Sequence, residues 1–413
     1  MKENLTTIME QFLPEQSLCF VKPKGNGHIN TTFLVEMVSG ERYIIQKINT
    51  AVFGDPDDLM ENIMRVTSFL REKLRKAGGD AERGTLMVIR GTNGKAYVTD
   101  GQGSAWRLYA CVRNVVSFEK AQNADQMYQA GLAVGRFGML LADFPAAELH
   151  ETIPDFHNTP KRYLNLVEKA FQEDRYGRAA EVAEEIAFAR KHREETAIFE
   201  DLHRRGKLPL RVTHNDTKIG NILFDADTHE AVCLCDLDTV MPGFAPFDFG
   251  DSIRSGAATA AEDGADLEDM AKVEEESNET TTVTAEDAAS RARLAAAEEP
   301  NAINPKSAKG NPGGMALSLD YYHAYRKGYY EGTQGKLTET EYRLLPMGAK
   351  LMTLECGMRF LTDYLEGDVY FKTDRERQNL DRCRAQFALV EDMERKWGEM
   401  CADARNYWRD SNL

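Results

Sequence analysis

The sequence lacks most features that mark specialised protein classes. Its seven cysteines are scattered and odd in number. They form neither the paired spacing of a zinc site nor a disulfide framework, and Cys233-x-Cys235 reads as two small buried residues on one strand face. No apolar run reaches membrane length. "AGLAVGRFGMLLADF" is interrupted by Arg136 and Asp143, so it predicts a buried helix and not a span. The opening "MKENLTTIMEQFLP" has no apolar signal core, and a soluble cytoplasmic protein is the expectation. A basic surplus is also missing. The formal net charge is −16, without the electrostatic footprint of a nucleic-acid binder. There is no G-x4-G-K-[ST], which argues against a P-loop nucleotide site.

What is present is a 413-residue chain, 42% hydrophobic and 29% charged, enough for a large core in two packed lobes. From Leu18 to Ile48, "LCFVKP", "TTFLVEMVSG" and "ERYIIQKI" alternate β-branched and aromatic residues and read as strands. "DDLMENIMRVTSFLREKLRKAG" has helical spacing and ends at Gly78. "TLMVIRGTNGKAYVTDGQGSAWRLYACV" returns to strands. After Ser117 the texture is helical, and "ADQMYQAGLAVGRFGMLLADF" carries small residues suited to close packing. The pattern predicts a small β-rich lobe over residues 1–113 and a larger helical lobe over 114–413.

One segment stands apart. Between Glu262 and Pro300, 13 acidic residues face 3 basic ones, supplying −10 of the net charge. Few large apolar residues occur there, so the run cannot bury enough area to offset ordering. Residues 274–314 are expected to form a mobile acidic surface insertion, with a short helix allowed at "AEDAASRARLAAAEE". A protein partner of this insertion is left unspecified.

The chemistry concentrates in "RVTHNDTKIGNILFDADTHEAVCLCDLDTVMPG", residues 211–243. His214, Asp216, Asn221 and Asp236 lie beside apolar segments, and buried polar groups are costly without partners. A kinase catalytic loop places its base aspartate five residues before a metal-binding asparagine, with histidine two before the base. His214-x-Asp216-x4-Asn221 has that spacing. Asp236 follows the strand "AVCLC", where a second metal carboxylate belongs. Phosphoryl transfer needs this set: a carboxylate to accept a hydroxyl proton, and oxygen donors to hold Mg²⁺ against the phosphates of ATP. Singly, each residue has a bland explanation as a turn or a cap; the joint pattern is far more specific.

"THNDTKIGNILFD", "AVCLCDLDTVMPG" and "FDFGDSIR" together resemble the catalytic region of the aminoglycoside phosphotransferase-like kinases. "KGNGHINTTFLVE", "RYIIQKINTAVFGDP" and "GAKLMTLECGMRFLTDYLEGDVYFK" extend the resemblance to nearly the whole chain outside the acidic insertion. They narrow it to the N-acetylhexosamine 1-kinases. The resemblance implies an α+β, bilobal, protein-kinase-like fold. It implies Asp216 as base or orienting carboxylate, Asn221 and Asp236 as Mg²⁺ ligands, and Lys218 against the transferring phosphate. It further implies a sugar pocket formed by Asp216, Thr239, Arg359, Tyr370 and His28. Lys47 in "YIIQKIN" is expected at the α/β-phosphates, and Gly25 and Gly27 near the phosphates through their backbone N–H groups. "CVRN", with Arg113 and Asn114, is the expected hinge at the adenine. His214 is expected to brace the loop, and Asp248 and Asp251 to be structural. An i,i+4 pair of Arg359 with Asp363 competes with the sugar role. Two rivals stand beside the sugar kinase: a choline, homoserine or aminoglycoside kinase on the same scaffold, and a non-catalytic nucleotide-binding scaffold.

Overall fold

A computed structural model describes residues 2–24, 29–262 and 311–402. The expected glycine-rich loop residues Gly25, Gly27 and His28 lie outside these, as do residues 274–310 of the insertion expected over 274–314, with its possible helix. Chain order explains the architecture. Six strands come first: β1 (Leu18–Pro23), β2 (Thr31–Met37), β3 (Arg42–Lys47), β4 (Met87–Ile89), β5 (Val98–Thr99) and β6 (Ala105–Ala110). They form one antiparallel sheet in the order β1-β2-β3-β6-β4, with β5 also paired to β6. Alternation decides what each face does. Phe33, Val35, Tyr43 and Ile45 bury against the N-terminal helix Lys2–Glu10 through Leu5, Ile8 and Met9.

The other face carries the helix Pro56–Lys76. Asp55 caps it by accepting from Asp57 N–H at 2.8 Å, and Pro56 starts it where no N–H is needed. Leu59, Met60, Ile63, Val66 and Leu70 are buried along one stripe, each contributing about 1.5–3 kcal/mol of transfer energy. The sheet ends at Ala110. Then β7 (Val115–Val116) pairs with β9 (Ile222–Asp225) of the second lobe, so the crossover falls at residues 111–114.

The second lobe is helical around two small sheets: β10 (Ala231–Leu234) with β9 and β7, and β11 (Met241–Gly243) with β8 (Arg211–Thr213). The small residues of the first long helix act as expected. Helix Ala124–Leu140 crosses helix Leu319–Gly332 so closely that a Cβ on Gly131 would land on the Tyr325 carbonyl oxygen, and one on Gly328 on that of Tyr128. The run "RAAEVAEEIAFARKHREETAIFEDLHRRG" is broken into helices Ala183–Lys191 and Ile198–Arg204 with single 3-10 turns. The central helix Glu339–Leu365 opens on a capping box between Thr338 and Glu341. Glu341 also takes a two-pronged ion pair from Arg211, which ties strand β8 to this helix.

Candidate active site

The segment after β8 cannot continue as a strand, because Asn215 adopts a left-handed φ of 65°. That conformation is uncommon outside glycine, and asparagine tolerates it best. Helix Ala245–Gly256 holds the turn. The buried Asp248 accepts from the N–H groups of His214 (2.9 Å) and Asn215 (2.7 Å), and its carbonyl takes the Thr217 hydroxyl at 2.6 Å. Ser252 donates to the Thr217 carbonyl at 2.8 Å and receives the Tyr325 hydroxyl at 2.8 Å. His214 sits with Nε2 2.9 Å from the Cys235 carbonyl, while its Nδ1 accepts from Asp216 N–H at 3.3 Å. A ring that donates at one nitrogen and accepts at the other is a neutral brace, and no proton donor is left over.

Asp216 emerges from this frame. Its carboxylate accepts from Asn221 Nδ2 at 2.8 Å and meets Lys218 Nζ at 3.2 Å. Burial pushes its proton affinity up, but Lys218 and the hydrogen bonds outweigh that and hold it below the ordinary value, ionised. Lys218 in turn is pushed well above its usual range, first by Asp216. With its nitrogen on Asp216, Asn221 leaves its amide oxygen for a cation. Cys235 N–H donates to the Asn221 carbonyl at 2.8 Å, which sets Asp236 beside Asn221 at the end of β10. Asp236 takes a left-handed conformation, φ 59° and ψ 60°, and opens into the cleft. Its carboxyl is pushed up to about 6 by the protein walls around it, then by the charges of Asp238 and Asp216. An amide oxygen and carboxylates crowded by like charge are a hard donor set suited to a divalent cation such as Mg²⁺.

Asp238 was not singled out in the sequence, nor was Arg107. Arg107 in β6 is 1% exposed and pairs with both oxygens of the buried Asp238, one contact at 2.8 Å. Gln46 accepts from Arg107 Nε at 3.0 Å, and Asn30 donates to Asp238 at 2.5 Å. Asn62 of helix Pro56–Lys76 adds a bond to the Val240 carbonyl at 3.2 Å. The first-lobe sheet is thereby bolted to the "DLDT" turn. An arginine inside the apolar alternation of "AWRLYA" was the available signal.

Register decides the fate of Lys47. It lies opposite Trp106 on the face of Tyr43 and Ile45, with Asp100 nearby, whereas Gln46 and Arg107 share the face toward Asp238. Among the described residues Lys47 makes no ion pair, and the first-lobe cation reaching the acidic cluster is Arg107. The hinge residues are also engaged elsewhere. The carbonyls of Arg113 and Asn114 accept from Arg83, each at 3.2 Å, and the Arg113 side chain is exposed. Thr239 is buried, donating its hydroxyl to the His214 carbonyl at 2.7 Å and accepting Asn215 Nδ2 at 2.8 Å on its own carbonyl.

Arg359 and Tyr370 come together. The guanidinium lies 5.8 Å from the Tyr370 ring, 5.5 Å from Phe371 and 5.3 Å from Phe156. The competing pair with Asp363 is not formed. Asp363 is 3% exposed and accepts the N–H groups of Val369 (3.0 Å), Tyr370 (2.8 Å) and Phe371 (2.9 Å), with Asn379 Nδ2 at 2.8 Å. It shapes the loop that presents Tyr370, and Arg359 keeps its charge over aromatic faces.

A family model for the phosphotransferase enzyme family, APH, matches residues 21–277, which contain the whole loop and acidic cluster. The chain belongs to the phosphotransferase enzyme family. Its bilobal α+β architecture is that of solved family structures. An aminoglycoside phosphotransferase from Alicyclobacillus acidocaldarius superposes with a TM-score of 0.57 at 11% identity, covering 97% of this chain and 96% of the other. A microcompartment-associated aminopropanol kinase gives 0.56 at 14%, covering 97% and 99%. A choline kinase from Cryptosporidium parvum gives 0.53 at 12%, covering 99% of each. In this phosphotransferase no helix of the described residues is long and apolar enough to cross a membrane.

Proposed function

We propose that this phosphotransferase is an ATP- and Mg²⁺-dependent kinase acting on the anomeric hydroxyl of an N-acetylhexosamine, yielding the sugar 1-phosphate. One observation carries the phosphoryl-transfer part. Asp216 is held ionised by Lys218 and Asn221, with Asp236 beside them, so that base, counter-charge and cation ligands share one pocket. Asp216 orients or deprotonates the attacking hydroxyl, Asn221 and Asp236 take the cation, and Lys218 moves to the transferred phosphate. ATP is the donor of choice, in keeping with a related amicoumacin kinase solved with AMP-PNP and Ca²⁺, TM-score 0.51 at 12% identity. The sugar assignment rests on Arg359 beside Tyr370 at the acceptor side. A guanidinium among rings suits hydroxyl and acetamide oxygens.

A second substrate class has an observation of its own. A cavity of about 160 Å³ beside the catalytic loop is lined by Glu151, Asp155 and Glu200 together with Phe156, Phe244 and Phe247. Carboxylates and aromatic faces suit an organic cation, the acceptor type of a choline or aminoglycoside kinase. One experiment separates the two: a panel of N-acetylglucosamine, N-acetylgalactosamine, choline, ethanolamine and aminoglycosides, with product regiochemistry read by phosphorus NMR. An anomeric phosphate coupling supports the sugar 1-kinase, and turnover of an amine alone overturns it. Asp216→Asn should lower kcat by about 10²–10⁴-fold with its melting curve retained; near-normal turnover removes Asp216 from the mechanism.

A further inference from the structure

We infer that His157 is a positioning residue: clamped as an imidazolium between Glu355 and the Asn215 carbonyl, it fixes the peptide that carries Asp216. The inference rests on the reading of Asp216 as the reacting carboxylate. His157 Nδ1 lies 2.8 Å from Glu355 Oε1, and Nε2 lies 3.1 Å from the Asn215 carbonyl oxygen. Both side chains are buried, 9% and 2% exposed. A backbone carbonyl can only accept. As a carboxylate Glu355 also only accepts, and its other oxygen takes the Thr159 hydroxyl at 2.6 Å. Burial alone raises the Glu355 proton affinity, but its contacts with His157, the Thr159 hydroxyl and the Arg359 charge outweigh it and hold the carboxyl below its ordinary value. Two acceptors facing two ring nitrogens are both satisfied only when both nitrogens carry hydrogen.

The clamped carbonyl belongs to a residue held in the left-handed region. Asn215 is left-handed, and its N–H, its side-chain amide nitrogen and its carbonyl are each tied. Asp248 takes its N–H, Thr239 takes its side-chain amide, and His157 takes its carbonyl. Releasing the last of these lets the 215–216 peptide relax, and a small displacement of a reacting group is costly in rate. Phe156 and Phe247 hold the ring from two sides, at 4.6 and 5.1 Å between centroids. The charged groups around it are Glu355 on the central helix, Asp248 on helix Ala245–Gly256 and Glu200 on helix Ile198–Arg204 across the cavity. Arg162 and Arg359 lie beyond Phe156. Glu355 is one helical turn before Arg359, so one helix face serves both the catalytic loop and the acceptor side.

The protonation state is read without any substrate, by long-range proton–nitrogen NMR on histidine-labelled protein. His157 should show both ring nitrogens protonated at neutral pH, and a neutral tautomer there overturns the clamp. The rate arm reads ADP release with the best acceptor of the panel, or with water if none is turned over. His157→Ala should lower kcat about tenfold or more with the KM for ATP within about twofold, and His157→Gln, which keeps one donor, should recover part of it. Glu355→Gln removes the anion that holds the ring charged, so the alkaline fall of kcat should move about one pH unit or more downward. Wild-type kcat in His157→Ala, or an unmoved alkaline limb in Glu355→Gln, overturns the positioning role. If His157→Ala does not fold, the wild-type NMR spectrum and the Glu355→Gln profile decide.

Discussion

Asp236 brings its carboxylate into a cleft that already holds Asp216 and Asp238, and loss of water around it first, then that crowding, pushes its pKa up to about 6. The consequence for stability has a definite sign. A proton bound more tightly in the folded state than in the unfolded chain favours folding at low pH. That favour is present below the ordinary aspartate range and is lost as the pH rises to about 6. At pH 8, without metal, the ionised group therefore opposes folding. Because Asp236 faces solvent, the effect is discounted to about 1 kcal/mol or less. Asp236→Asn should raise the melting temperature of the metal-free protein by about 1–2 °C at pH 8 and by nothing measurable at pH 4. Excess Mg²⁺ and ATP should reverse the order by stabilising the wild type alone, as calorimetry with and without chelator will show. At this scale "HNDTKIGN" was informative in advance, because residue type and spacing are properties of the chain. Lys47 was not, since the face it takes depends on strand register.

Elements carry the site through bonds that no motif records. The loop after the central helix is shaped by one buried carboxylate, Asp363, receiving backbone N–H groups of residues 369, 370 and 371. Asp363→Ala leaves those donors buried or wet and should cost about 2–3 kcal/mol in denaturant unfolding. It should also raise the KM of the acceptor through Tyr370 while leaving the KM of ATP near its original value. Asp363→Asn, which preserves one acceptor oxygen, should cost less. A purely helical pair with Arg359 would predict the same loss from Arg359→Ala, which the observed geometry does not support. Helix periodicity alone allowed that pair, four residues apart; only the conformation of the following loop selected against it.

For the molecule as a whole, the two lobes meet through a buried ion pair. Breaking one side of such a pair strands the other. Asp238→Asn alone should cost about 3–5 kcal/mol, while Arg107→Met combined with Asp238→Leu should recover much of that loss, as a double-mutant cycle in urea will measure. The described residues on either side of the acidic segment, up to Glu262 and from Asn311, run side by side. Thr259 N–H donates to Ala316 at 3.0 Å, Ser318 N–H to Ala257 at 2.8 Å, and Ala258 bridges Leu317. Because the flanks hold each other, replacing residues 263–310 by a short Gly-Ser linker should leave the melting temperature within about 2 °C and kcat within about twofold. A large loss of activity at unchanged melting temperature would give the acidic segment a role in turnover.

The β-rich first lobe and the helical second lobe were legible in the sequence by itself, and so was the local pattern of Asp216, Asn221 and Asp236 on which the proposed chemistry rests. These follow from period-two and helical alternation and from the local spacing of polar residues, which survive without knowledge of neighbours. Tertiary structure alone decided that Arg107 meets Asp238 across 131 positions of chain, and that His157 meets Glu355, 198 positions away, with its other ring nitrogen on the Asn215 carbonyl. It also decided that Asp363 serves a loop and not Arg359. Each of these is a partner choice by a buried charge, and such a charge is satisfied by whichever group the packing brings within hydrogen-bond reach.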